Sequence, residues 1–122
     1  MGLYPGVAYE YARVVREGAL VFTAGASPLD EEGVVVSPGD HTGQARRVVE
    51  NLLAVLEEHG AGVGDIVRTT VYVVGGRDDL VAVWDVVAAG LAPARPPSTL
   101  LGVSVLGYPD QLVEVDAVAA LP

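Results

Sequence analysis

The sequence predicts an α+β fold of two layers, in which two helices pack on one face of a mixed β-sheet. Two segments with helical spacing stand between runs of β-branched residues, and short β-rich runs lie next to each other near both ends of the chain. The chain has 122 residues, so we expect a single domain over residues 1–122. A chain of this size can bury one hydrophobic core.

The N-terminal third predicts a β-hairpin followed by a third short strand. Residues 11–15 and 20–24 are rich in apolar and β-branched side chains, and turn residues 16–18 separate them. A loop rich in turn-forming residues follows at 27–33, and the valines at 34–36 predict a further short strand.

Two helices are predicted from apolar side chains that recur with helical spacing. The first begins at Asp40 or Thr42, either of which can cap it, and ends at Gly60, where a left-handed residue is favoured. The second begins at Asp78 or Asp79. The buried stripes are Ala45, Val48, Val49, Leu52, Leu53 and Leu56 in the first helix, and Leu80, Val83, Trp84, Val87 and Leu91 in the second.

Three more strands are predicted in the second half of the chain. Residues 66–74 are rich in valine and threonine and alternate between two sets of side chains. The prolines within residues 92–97 end the second helix, because proline has no amide hydrogen and restrains the residue before it. Residues 98–106 and 112–119 then predict two strands, which a turn at 107–110 joins into a second hairpin.

The composition excludes several kinds of chemistry and one class of partner. All seven cationic residues are arginines, so no lysine is present to form a Schiff base. The chain has no cysteine, which excludes disulfides, thiol catalysis and cysteine-bound metals. Sixteen acidic residues give a net charge of −9, which opposes binding to nucleic acid.

The apolar residues bear on assembly and location. Hydrophobic residues make up 51% of the chain, an excess that a small domain usually buries in a subunit interface. No apolar run reaches the roughly 18–20 residues that span a bilayer, and the N-terminus lacks the features of a secretion signal. We therefore expect a cytoplasmic protein without a membrane partner.

Three side chains are candidates for acid–base or metal chemistry. His41 and His59 flank the first helix roughly 27 Å apart, so they cannot share a metal within one chain. Glu114 lies in an apolar strand, where alternation puts it on one face with Asp116 and Val118. A carboxylate there is costly unless it faces water, a partner or a cleft. Glu114 is therefore either a site residue or an ordinary solvent-facing residue.

Five segments form a specific pattern by their order and spacing. They are residues 20–25 (LVFTAG), 28–30 (PLD), 44–52 (QARRVVENL), 65–73 (DIVRTTVYV) and 113–119 (VEVDAVA). Together they resemble the RidA/YjgF (Rid) family of reactive-intermediate deaminases over nearly the whole chain. The resemblance implies a chorismate-mutase-like α+β fold that assembles as a homotrimer, with a small-molecule cleft at each subunit interface. It also implies hydrolysis of enamines and imines to a 2-keto acid and ammonia.

The resemblance assigns roles to individual positions. Glu114 matches a catalytic glutamate that positions the attacking water, Tyr11 matches a tyrosine of the pocket, and Gly25 matches a glycine whose backbone lines the cleft. Ala26 falls where many members have glutamine, and Trp84 falls where many have a small polar residue. All five positions are therefore expected at the cleft.

One position departs from the family pattern. The family's arginine, which binds the substrate carboxylate as a bidentate ion pair, has Ser98 or Thr99 in its place. Arg95 lies a few residues upstream and either reaches back over the cleft or leaves the ligand without a charged partner. With Leu100 and Leu101 nearby, we expect a ligand that lacks a carboxylate or is more apolar.

Two functions are open from the sequence. One is a divergent enamine or imine hydrolase (deaminase) in which Glu114 is catalytic, and the other is a non-catalytic protein that binds a small metabolite in the same clefts. The sequence gives no sign of a metal ion or an organic cofactor, and we expect none.

Overall fold

The structure is a computed structural model that describes residues 2–122. Its fold consists of six regular elements and one short turn of helix. The elements are β1 (Leu20–Phe22), α1 (His41–Glu58), β2 (Ile66–Val74), α2 (Arg77–Leu91), β3 (Ser98–Val103) and β4 (Val113–Ala120), with a 3-10 turn at Val63–Asp65 before β2. The four strands form one sheet in the order β1-β4-β2-β3.

The strand pairing makes the sheet mixed. β2 pairs with β3 in parallel and with β4 antiparallel, and β1 pairs antiparallel with the other side of β4. The parallel pair β2 and β3 is joined by α2, because parallel neighbours need a crossover connection. The predicted α+β class and mixed sheet are confirmed.

Both predicted helices form close to the expected positions. Asp40, and not Thr42, caps α1, and its carboxylate accepts the Gly43 N–H at 3.0 Å. Gly60 follows the end of α1 with a left-handed φ of 82°. α2 begins at Arg77, one residue earlier than expected, because Asp79 accepts the Gly76 N–H and so closes the first turn. No helix in residues 2–122 has the length and apolar character needed to cross a bilayer.

The hydrophobic core lies between the helices and one face of the sheet. Along β4 buried residues alternate with half-buried ones, and Glu114, Asp116 and Val118 occupy the face away from the core. This alternation confirms the prediction for that strand. Each Val or Leu fully buried in this core contributes about 1.5–3 kcal/mol to stability. The core side chains are Ala26, Ala45, Val48, Val49, Leu52, Leu56, Ala61, Ile66, Val71, Val73, Val83, Val87, Leu91, Val113, Val115, Ala117 and Ala119.

The predicted N-terminal hairpin is wrong. Residues 11–15 form no strand, and β1 pairs instead with β4, Phe22 opposite Val118. The N-terminal segment is held by side chains, since the Arg13 guanidinium donates to the carbonyl oxygens of Ile66 and Gly64, both at 2.7 Å. The valines at 34–36 contribute one isolated bridge and no strand.

The predicted C-terminal hairpin is also wrong. β3 and β4 are consecutive along the chain, yet they lie on opposite sides of β2 and do not pair with each other. The parallel register of β2 with β3, Thr70 opposite Thr99, leaves the other side of β2 for β4. The last two strands were inferred from local pattern, which does not specify a partner.

Candidate ligand site

Glu114 lies on the face of the sheet that no helix covers, and a small polar cluster holds its carboxylate. Its Oε1 accepts hydrogen bonds from Gln111 Nε2 at 3.2 Å and from Ser27 Oγ at 3.4 Å. Gln111 is only 4% exposed, and its amide also donates to Ser27 Oγ and to the Val113 carbonyl oxygen, each at 3.1 Å. Among the described residues both side-chain hydrogen bonds to Glu114 end at Oε1, and Oε2 accepts none.

The backbone of Gly25 lies against this carboxylate. A Cβ atom built on Gly25 would lie 2.7 Å from Glu114 Cγ and still closer to the carboxylate itself, which is nearer than real Cβ contacts come. Only glycine therefore lets the Glu114 side chain lie against the backbone at this point. The structure thus brings together Glu114 and Gly25, two of the positions expected at the cleft.

A row of side chains crosses the sheet beside Glu114. Tyr72 of β2 is opposite Glu114 of β4 on one side and Leu101 of β3 on the other. The Tyr72 hydroxyl donates to Asp116 Oδ2 at 3.0 Å. Partial removal from water, together with this carboxylate, raises the pKa of Tyr72 above its usual value.

Three aromatic rings cluster at the β3 side of the molecule. The ring of Tyr9 packs edge-on against Tyr11, with centroids 5.8 Å apart, and against Trp84, with centroids 6.0 Å apart. The Tyr11 hydroxyl donates to the Tyr4 carbonyl oxygen at 2.6 Å. Two of the expected pocket residues, Tyr11 and Trp84, are therefore joined through Tyr9, which no sequence pattern indicates as a site residue.

Two adjoining cavities share Tyr9, Ser98 and Thr99. The larger, of about 470 Å³, is completed by Trp84 and Leu100. The smaller, of about 170 Å³, is completed by Glu10, Tyr11, Arg68 and Pro97. This region is concave and has aromatic walls, as small-molecule sites usually are.

Ser98 and Thr99 point to opposite faces of β3. Ser98 Oγ donates to the Pro96 carbonyl oxygen at 3.0 Å and lies 2.5 Å from the hydroxyl of Thr69, a buried residue of β2. Thr99 is exposed and stands opposite Thr70 on the face that also carries Glu114. Of the two, Thr99 is the side chain on that open face.

Arg95 does not line either of these two cavities. Its guanidinium donates to the Val7 carbonyl oxygen, and its own carbonyl oxygen accepts the Glu10 N–H at 2.8 Å. With Arg13 it lines a separate cavity of about 520 Å³ beneath the N-terminal segment. In one chain Arg95 therefore binds the N-terminal segment and does not reach back over Thr99.

Ala26 and the two histidines have structural contacts. Ala26 belongs to the core, 9% exposed, and exchanges backbone hydrogen bonds with Val115. His41 Nε2 donates to the Val74 carbonyl oxygen at 2.7 Å, and His59 Nδ1 donates to the Val55 carbonyl oxygen at 2.8 Å. Within residues 2–122 no three His, Cys, Asp or Glu side chains are placed to hold a metal ion.

The expected site residues fall into two groups in one chain. Glu114 and Gly25 form one group, whereas Tyr11, Trp84 and Thr99 form the other around the two adjoining cavities. From the strand register, the backbones of Thr99 and Glu114 are two strands and two residues apart, about 12 Å. A small ligand bound at the aromatic group of one chain is therefore distant from the Glu114 carboxylate of that chain.

Comparison with known proteins decides the family. A family profile described as Endoribonuclease L-PSP matches residues 2–121. The chain belongs to the Rid/YjgF family. The crystal structure of the Rid protein YyfB from Yersinia pestis superposes with a TM-score of 0.90 at 31% identity, covering 98% of this chain and 92% of that one.

Two further relatives of this Rid protein match over most of their length. A RutC family protein of Pyrococcus abyssi is 34% identical over 109 residues, which cover 89% of this chain and 84% of the relative. The 3-aminoacrylate deaminase RutC of Acinetobacter baylyi is 30% identical over 111 residues, which cover 89% and 85%.

Four polar or aromatic residues of this Rid protein's candidate site have no role predicted from the sequence. Ser27 and Gln111 are separated from each other by 84 positions, and no local pattern links them. Tyr9 lies in a segment without periodicity. Arg68 did carry a signal, because it is the single charged residue of β2 and shares the open face with Thr70 and Tyr72.

Proposed function

We propose that this Rid protein is a divergent enamine or imine hydrolase (deaminase) that works at clefts between the subunits of a chorismate-mutase-like homotrimer. The observation that carries the proposal is the Glu114 carboxylate, which Gln111 and Ser27 hold against the backbone of Gly25. The A. baylyi relative is named for deamination of 3-aminoacrylate, an enamine.

The arrangement suits hydrolysis of an imine. Glu114 Oε2 accepts a proton from a water molecule as the water oxygen forms a bond to the imine carbon and the C=N electron pair moves to nitrogen. Glu114 returns this proton to the nitrogen, which gives a carbinolamine. The carbinolamine hydroxyl then passes its proton to Glu114, and Glu114 delivers it to the nitrogen as the C=O bond forms and the C–N bond breaks, so that a ketone and ammonia leave. General-base assistance of this kind contributes typically 10²–10⁴-fold to a rate.

The homotrimer is supported by apolar side chains on the uncovered face of the sheet. Phe22 is 72% exposed and Leu101 is 42% exposed on that face, and exposed Leu20 lies beside Phe22 on β1. Leu20 and Phe22 lie on the edge strand β1 and Leu101 on the opposite edge strand β3, so exposed apolar side chains border the uncovered face at both edges, which favours contact with another subunit. A neighbouring subunit that covers this face would also supply the Thr99 group of one chain to the Glu114 group of another.

The proposed divergence concerns how the substrate is held. Ser98 or Thr99 stands where the family has its arginine, and losing a buried charged contact typically costs 2–5 kcal/mol. The same observation favours a second candidate function, in which the clefts bind a small metabolite and catalyse nothing. The cavity of about 470 Å³ beside Trp84 is large enough for such a ligand.

An imine-trapping assay tests the proposal. Amino-acid oxidase generates 2-imino acids, semicarbazide traps them, and the semicarbazone yield is measured with and without this protein. We expect the wild-type protein to lower the yield, Glu114→Gln to restore it, and Asp116→Asn, the matched change on the same face, to behave as wild type. An unchanged yield with wild type would contradict hydrolysis of these imines.

The second candidate function predicts a different result. A metabolite would then raise the unfolding free energy by about 2.7 kcal/mol at 100 times its dissociation constant, with no product formed. Thermal denaturation across a metabolite panel, followed by product analysis of every positive compound, separates the two functions.

A further inference from the structure

Arg68 is a cation that lines one of the two adjoining cavities, and the proposed function gives it no role. It lies on β2, exposed, on the face that also carries Thr70, Tyr72 and Glu114. Its side chain lines the cavity of about 170 Å³ together with Tyr9, Tyr11 and Thr99. It is the one cation among the residues that line this cavity or the adjoining one.

The Arg68 guanidinium has no ion-pair partner in the described part of the chain. The salt bridges among residues 2–122 join His41 to Asp79 and Arg47 to Glu50. Glu10 also lines the cavity, but it does not approach Arg68 as an ion pair. A guanidinium that faces a cavity without a contact ion pair can bind a carboxylate through two parallel N–H donors.

The strand register places Arg68 next to Thr99. Thr99 stands opposite Thr70, and Arg68 is two residues before Thr70 on β2. The neighbouring strands are about 4.8 Å apart and a two-residue step is about 6.7 Å long, so the two Cα atoms lie about 8 Å apart. A long arginine side chain covers this distance, so a carboxylate held over Thr99 lies within its reach.

Aromatic rings form the other end of this binding region. Tyr9 borders both cavities and meets Trp84 at an interplanar angle of 85°. With Leu100, these rings make the larger cavity mainly apolar. A ligand whose carboxylate meets Arg68 would therefore extend its side chain between Tyr9 and Trp84.

We propose that Arg68 binds the ligand's carboxylate and that Tyr9 and Trp84 bind its side chain. The ligand is then a 2-imino acid, or its 2-keto acid product, with a bulky apolar or aromatic side chain. The identity of the imine rests on the proposed function, whereas the carboxylate and aromatic subsites rest on Arg68 and the two cavities. The guanidinium comes from β2, one strand away from Ser98 and Thr99.

Binding of phenylpyruvate to the full chain, measured by isothermal titration calorimetry, tests the proposal. Phenylpyruvate is the stable keto acid of this class, and phenylacetone is a neutral analogue that lacks the carboxylate. We expect Arg68→Gln to weaken phenylpyruvate binding about tenfold to a hundredfold, the usual effect of losing hydrogen bonds to a charged group. Phenylacetone binding should be unchanged.

Matched variants separate charge, geometry and folding. Arg68→Lys keeps the charge but loses the planar fork, so it should recover only part of the affinity. Arg16→Gln removes an exposed arginine that borders neither cavity and should bind as wild type. Trp84→Ala should weaken phenylpyruvate more than pyruvate, because pyruvate has no side chain to place against the ring.

The outcomes distinguish this proposal from the proposed function. Hydrolysis that depends on Glu114 but is unaffected by Arg68→Gln would overturn the role of Arg68 and leave the hydrolase intact. Phenylpyruvate binding that depends on Arg68, with no imine hydrolysis, would support the binding site and contradict the hydrolase. Failure of wild type to bind phenylpyruvate at millimolar concentration would overturn the proposal.

Discussion

The carboxylate of Glu114 lies directly against the backbone of Gly25, in space that a side chain on residue 25 would fill. Gly25 follows β1, and Glu114 is the second residue of β4, so the contact depends on the antiparallel pairing of these two strands. The position of the carboxylate is thereby linked to the fold, and one methyl group suffices to move it.

Gly25→Ala should abolish imine hydrolysis while the protein stays folded. The added Cβ would overlap the Glu114 carboxyl group, which is the far end of a flexible side chain and can rotate away. We therefore expect a loss of activity comparable with that of Glu114→Gln and a small change in melting temperature. The semicarbazone assay and thermal denaturation measure the two effects.

Gly64→Ala is the matched control for Gly25→Ala, because a Cβ at Gly64 meets nothing within 4 Å. It should retain wild-type activity. Full activity in Gly25→Ala would show that Glu114 has no fixed position in catalysis.

Gln111→Met should reduce both activity and stability. It removes the donor to Glu114 Oε1 and leaves the Val113 carbonyl oxygen and the Tyr108 N–H without their side-chain partner. Leaving buried polar groups unsatisfied costs about 1–3 kcal/mol. Urea denaturation measures the stability, and the imine assay is run well below the unfolding midpoint.

Ser27→Ala provides the comparison for Gln111→Met, because its contact with Glu114 is the longer one, 3.4 Å. It should lose less activity than Gln111→Met. If Gln111→Met lost stability but kept the wild-type rate per folded molecule, Gln111 would be structural only.

The sequence predicted those parts of the fold that depend on local periodicity. The stripe of α1 and the alternation around Glu114 follow from the chain's own 3.6- and 2-residue periods, and the cap of α1 is one of the two residues that the sequence offered, Asp40 or Thr42. The choice of strand partners does not, since β1 pairs with β4 across nearly the whole chain and β3 avoids its sequence neighbour. The C-terminal hairpin failed for this reason, whereas the N-terminal hairpin failed because residues 11–15 form no strand.

The candidate site also contains residues that the sequence indicates and residues that only the folded sheet brings together. Glu114 and Gly25 were selected through the resemblance to a family, and the structure places them in contact. Ser27 lies 87 positions from Glu114, so their contact exists only once β4 has paired inside the sheet. Arg68 could have been selected from the alternation of β2 alone, because it stands out as a single cation in an apolar strand.

Phe22→Asp should convert the proposed homotrimer into monomers. Phe22 is 72% exposed on the open face of the sheet, so a carboxylate there leaves the core of one chain intact and opposes burial of that face. Sedimentation equilibrium should give about three times 12.6 kDa for wild type and about 12.6 kDa for the variant.

Val81→Asp is the control for Phe22→Asp, since Val81 is 53% exposed but lies on α2, on the opposite side of the sheet. It should keep the wild-type mass. A monomeric wild-type protein, or a trimer that survives Phe22→Asp, would contradict assembly through the open face.

Asp40→Ala should lower the melting temperature at neutral pH but not at low pH. The pKa of the Asp40 carboxyl lies below its usual value, mainly because the carboxylate accepts the Gly43 N–H; the Thr42 hydroxyl and Arg46 lower the pKa further. A depressed folded-state pKa means that the stabilisation is fully present above the unfolded value of about 3.9 and disappears as pH falls through the folded value. Melting curves of wild type and Asp40→Ala across this range should therefore converge at the acid end. Asp85→Ala, a substitution of an exposed residue of α2, is the control for the loss of one negative charge. If the difference in melting temperature between wild type and Asp40→Ala stayed constant with pH, the cap would not act through its ionised form.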